Sequence, residues 1–75
     1  MRKGVILLKY PNLRAEMARA DVGADGLAMA TGLSISSVYR RLKKDGFSYQ
    51  EAEQIRNMLF PSMSVDYLFD SEGVS

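Results

Sequence analysis

The sixteen residues Leu27-Ala28-Met29-Ala30-Thr31-Gly32-Leu33-Ser34-Ile35-Ser36-Ser37-Val38-Tyr39-Arg40-Arg41-Leu42 spell two short helices and the corner between them. Leu27, Ala28 and Thr31 fall on one face of a helix that begins near Asp25. Gly32 ends it, because glycine enters the left-handed conformation of a helix terminus without a steric penalty. Ser34 stands where a second helix needs a side-chain oxygen to receive one of its free amides. Val38 and Leu42, four residues apart, give that helix an apolar stripe. It runs to about Lys44, and Asp45-Gly46 makes the turn that follows.

The flanking sequence is punctuated as clearly. Pro11-Asn12 opens a helix with Asn12 as its N-cap. Leu13, Met17 and Ala20 recur on its inner face, Arg14, Glu16 and Arg19 fall on its other faces, and Gly23 stops it. Ser48 and Glu51 have the capping-box spacing, in which each side chain satisfies the other's free amide. Ala52, Ile55 and Leu59 follow as one stripe, and Pro61 ends that helix. A last turn over Ser64–Phe69 brings Val65, Leu68 and Phe69 to close the core. Four or five short helices on short connections predict a compact all-α domain over residues 11–69, with a solvated tail at 70–75. Residues 1–10 do not fit the scheme. Their apolar run, Val5-Ile6-Leu7-Leu8, reads as an arm, as an edge strand pairing with a partner subunit, or as the start of the first helix.

Length and composition bound the chemistry. Seventy-five residues hold one small domain, and a chain of this size buries only about 60–65% of the surface its unfolded form exposes. The apolar fraction is 47% and the charged fraction 25%, which argues against disorder as the main state. Cysteine and histidine are both absent, which excludes disulfides, thiol catalysis and zinc, haem or iron–sulfur sites built on those ligands. No enzyme activity, cofactor, metal or small-molecule ligand is expected. No apolar run approaches the roughly 20 residues of a membrane-spanning helix, so a cytoplasmic location without membrane contact is expected. The net charge of +1 conceals a split. Residues 1–46 carry nine basic side chains against four acidic ones, and residues 47–75 carry one against five. Such a chain can turn a positive side to a polyanion while remaining soluble.

The stretch Leu27–Leu42 resembles the helix-turn-helix of the phage Cro and lambda-type repressor family, also called the XRE family, in its Gram-positive phage and prophage form. The flanks agree: Asn12–Arg19 resembles that family's opening helix, and Phe47-Ser48, Glu51-Ala52 and Ser64–Phe69 look like its fourth and fifth helices. The resemblance gives Ala28 and Ser37 the task of staying small where two helices cross, and Leu33, Val38 and Leu42 that of anchoring the second helix to the core. It implies a lambda-repressor-like fold and a sequence-specific transcriptional regulator whose recognition helix, about Ser34–Lys44, enters the major groove of double-stranded operator DNA. Ile35, Ser36, Tyr39 and Arg40 are then the base readers, with Arg40 suited to guanine and Ile35 to a thymine methyl. Ser34, Arg41, Lys43 and Lys44 are the phosphate contacts.

Each assignment has a plainer rival. Arg40 can touch a phosphate instead of a base, Ile35 can fold back onto the preceding helix, and Tyr39 can cap the core edge. Arg41, Lys43 and Lys44 can be a solvated helix end, where cations also suit the dipole. The five methionines are expected as pliable core filler. Asp25 departs from the family pattern, in which polar donors touch phosphate, and Arg2, Lys3 and Lys9 are candidates for the missing grip. A homodimer on a palindromic site is expected, with Val5–Leu8 and the apolar residues Met58, Phe60, Met63, Tyr67 and Phe69 as candidate interfaces. The rival function is a protein-interaction module, an antirepressor or antitoxin, on the same fold.

Overall fold

A computed structural model describes residues 9–70, and these are helical throughout, with no strand among them. The helices are α1 (Pro11–Ala20), α2 (Ala24–Thr31), α3 (Ile35–Arg40), α4 (Tyr49–Leu59) and α5 (Val65–Leu68). Between α3 and α4 the chain widens into a π-helical turn, Arg41–Asp45. The core is assembled with one fully buried side chain from each helix: Leu13, Leu27, Val38, Ile55 and Leu68. Leu42, Ala52, Phe60 and Tyr10 complete it. α2 packs on α3 and α4, while α5 packs on α1 and α4. Burying a leucine of this kind contributes about 1.5–3 kcal/mol, so five short helices hold one another where none would persist alone.

The predicted punctuation holds at most helix ends. Gly32 is left-handed, φ +80°, and its amide donates to the Ala28 carbonyl at 2.8 Å. Ser34 caps α3, and the Ser48–Glu51 capping box is complete in both directions. Phe60, ahead of Pro61, leaves helical geometry as a residue before proline does.

The ends of α1 differ from expectation. Its N-cap is Tyr10, left-handed at φ +63°, and Asn12 lies inside the helix. The Asn12 amide instead donates to the Tyr67 carbonyl at 2.9 Å, tying α1 to α5. Nor does Gly23 stop the helix. Asp21 does so in a left-handed conformation, with the Val22 amide closing back on Met17 at 2.8 Å. Gly23 is extended and precedes α2, and Asp25 lies within α2's first turn without serving as a side-chain cap.

Burial corrects other expectations. Glu16 is only 9% exposed, because Tyr67 of α5 closes over it. Of the apolar residues taken as spare for an interface, Phe60 is buried, while Met63 and Phe69 pack against the core. Phe69, Tyr10 and Phe47 form a trio with ring centroids 5.1 to 5.9 Å apart. Met29 and Met58 are exposed, so the methionines are not uniformly filler. The run Val5–Leu8, together with Arg2, Lys3 and residues 71–75 of the predicted tail, lies outside the described residues.

Candidate nucleic-acid interface

The predicted reading face lies on α3, and its rigidity begins with serine chemistry. The Ser34 hydroxyl accepts from the Ser37 amide at 3.1 Å and donates to the Ser37 hydroxyl at 3.0 Å. The Ser36 hydroxyl stands 3.4 Å away. The inner side of the helix is fixed by Val38, fully buried, and by Leu42 just beyond the end of α3. One turn apart on the outer side, Ile35 and Tyr39 are 48% and 53% exposed, and Ser36 and Arg40 are exposed beside them. The four predicted base readers therefore share one solvent-facing surface. Ile35 and Tyr39 each keep about half of their surface in solvent, and Tyr39 also lines a cleft with Leu42.

The predicted phosphate contacts divide. Lys43 and Lys44 are exposed on the π-helical turn, whose extra residue per turn carries them round from the line that an α-helix would give. Arg41 is engaged elsewhere. Its Nε and Nη2 donate to Oε1 and Oε2 of Glu51 at 3.1 and 3.0 Å, a two-pronged pair that joins the end of α3 to the start of α4. That pair holds the Glu51 carboxyl below its usual range, reinforced by the Ser48 amide and opposed by partial burial. The Arg41 guanidinium is raised by the same bond. Arg41 thus ties the end of α3 to α4 rather than lying open with the lysines.

Arg14 was not singled out from the sequence and joins this surface in the structure. With Tyr39 and Leu42 it lines a cleft of about 300 Å³ whose floor is Met17, Ala18, Val22 and Ala24. No local pattern marks Arg14, because only the tertiary fold sets it on the same cleft as Tyr39. Met29, 77% exposed on α2, is a second such surprise.

A second ionic centre lies away from α3. Glu16 accepts from the Tyr67 hydroxyl at 2.7 Å and from Arg19 at 2.6 Å. The tyrosine bond is the main cause that lowers the Glu16 carboxyl below its ordinary range, against burial, with Arg19 adding to it. The Tyr67 hydroxyl is raised in return. This centre fastens α5 to α1.

Among the described residues no group of three or more carboxylates could hold a metal ion, and no helix is long and apolar enough to cross a membrane. The chain matches no protein-family model, no curated protein and no solved structure.

Proposed function

We propose that this chain is a sequence-specific DNA-binding transcriptional regulator of the Cro and repressor type, acting in the cytoplasm with α3 and the turn after it as its recognition helix. One observation carries this reading: Ile35, Ser36, Tyr39 and Arg40 face outward together from a helix whose inner side is locked by Val38. In the major groove Arg40 reaches O6 and N7 of guanine, Ile35 packs on a thymine methyl, and Ser36 and Tyr39 bond to base edges. Lys43 and Lys44, with Arg14 beside Tyr39, meet phosphates, which set position without reading sequence. Arg41 is left out of the contact set because Glu51 holds it. Two chains related by a twofold axis would place their α3 helices about 10 base pairs apart on a palindromic operator.

Selection of bound duplexes from a random DNA pool tests the reading directly, returning a half-site and its symmetry. Arg40→Ala should cost about 1–3 kcal/mol on the preferred duplex and leave weak binding to all sequences. Discrimination unchanged in that variant would refute Arg40 as a reader.

The exposure of Met29, Ile35 and Tyr39 favours a second reading, a protein-interaction module that uses the same face. Salt separates the two. Contacts to phosphate weaken steeply as salt rises, whereas an apolar protein contact does not.

A further inference from the structure

The cleft shared by Arg14 and Tyr39 has the make-up of a small-molecule site, which the composition of the chain did not lead us to expect. Its floor is aliphatic. Met17 and Ala18 come from α1, Val22 from the turn that follows, and Ala24 from the first position of α2. Leu42, only 4% exposed, continues the floor from the π-helical turn. The floor is also anchored: the Val22 amide donates to the Met17 carbonyl at 2.8 Å, and Met17 and Ala24 pack against the core.

Two polar side chains join this lining, Arg14 and Tyr39, and both are exposed. Arg14 is the single charged residue of the lining and makes no side-chain hydrogen bond or ion pair among the described residues. It stands one helical turn before Met17 and Ala18, so the three share a face of α1. An uncharged aliphatic floor beside one unpaired guanidinium favours an apolar body with a single anionic head. Among such heads a carboxylate matches the planar fork of arginine, accepting two parallel N–H···O bonds. The volume, about 300 Å³, lies at the small end for ligand sites and suits a short chain.

We propose that this cleft binds a medium-chain aliphatic carboxylate, with its head on Arg14 and its chain along Met17, Val22 and Leu42. The site does not rest on the DNA-binding reading. Its consequence does: Arg14 and Tyr39 belong to the surface proposed to meet DNA, so the ligand and a duplex compete for them. Octanoate titrated into the full chain without DNA should give saturable nuclear magnetic resonance shifts confined to Met17, Ala18, Val22, Ala24, Leu42 and Tyr39. Octanol, which lacks the charge, should bind about fivefold more weakly, and Arg14→Gln should lower octanoate affinity to the same level. Ala18→Trp, which fills the cleft from an exposed position, should abolish the shifts while the helical circular dichroism is retained. Shifts that spread over the surface without saturating overturn the proposal, as does undiminished octanoate binding by Arg14→Gln. Competition is read on a labelled duplex, which octanoate should displace; a duplex retained with octanoate seated overturns the competition. A chain that binds octanoate but no duplex refutes the DNA-binding reading and not the site.

Discussion

Glu51 shows how much one side chain can decide in a domain this small. It closes the capping box on Ser48 and at the same time receives both prongs of Arg41, so the start of α4 and the end of α3 share one carboxylate. Glu16 does the equivalent for α1 and α5 through Tyr67. Both carboxyls are lowered in the folded chain, so folding favours their charged forms. Their contribution is therefore present above the ordinary glutamate range, near 4.5, and is lost as pH falls through the lowered folded values. Urea midpoints measured downward from pH 6 should decline below about pH 4.5, and Glu16→Gln should flatten part of that decline. In a carbon-detected titration, Tyr67→Phe should move the Glu16 carboxyl back up toward its ordinary value. An unmoved Glu16 would show that Tyr67 does not set it.

At the scale of the element, α3 and its π-helical extension form the least conventional part of the chain. Gly46 closes that extension at φ +78°, its amide donating to the Arg41 carbonyl at 2.9 Å, and a Cβ there would come within 2.7 Å of the Tyr10 hydroxyl. Gly46→Ala combines backbone strain with that clash and should destabilise by about 1–3 kcal/mol, read from thermal or urea melts. Ser34→Ala removes the α3 cap and should cost about 1 kcal/mol by the same measurement. Changing Lys43 and Lys44 together to alanine should lower affinity for every duplex and reduce the slope of log K against log salt by about 2. An unaltered slope would identify the pair as solvated only.

These elements also show what the sequence could and could not convey. Gly32, Ser34, Ser48 and Glu51 act on amides within a few residues of themselves, so their roles follow from spacing alone. The start of α1 does not. Tyr10 holds its left-handed conformation while its hydroxyl accepts from the Phe47 amide 37 residues away, and Asn12 answers to Tyr67 rather than to its own helix. Glu16 looked like a surface residue because its partner lies 51 positions on. The π-helical turn left no local signature either. The exposed face of α3 was legible because it is the outward side of a helix whose inward side is marked by Val38 and Leu42. Arg14 was not, since a cleft shared by residues of α1 and α3 is a property of the tertiary fold.

For the whole molecule the margin is narrow. A core that draws one wholly buried side chain from each helix has little redundancy. Leu27→Ala, at the junction of α2 with α3 and α4, should cost about 2–5 kcal/mol. Set against the 5–15 kcal/mol typical of a domain, that loss would leave a substantial unfolded population. Chemical denaturation followed by circular dichroism measures it directly. Loss of helix in that variant would abolish the proposed DNA binding as well, whereas Arg40→Ala should leave the melting curve unchanged.

The π-helical turn carries a last consequence, for variation in chain length. Because it accommodates one residue more than an ordinary turn between the same anchors, deleting a single lysine there would let the backbone relax into regular helix instead of tearing the core. The remaining lysine would then swing to a new bearing around the helix axis. Chain length at this one point would thus act as a tuning peg for where positive charge lies around the helix axis, independently of the side chains of α3.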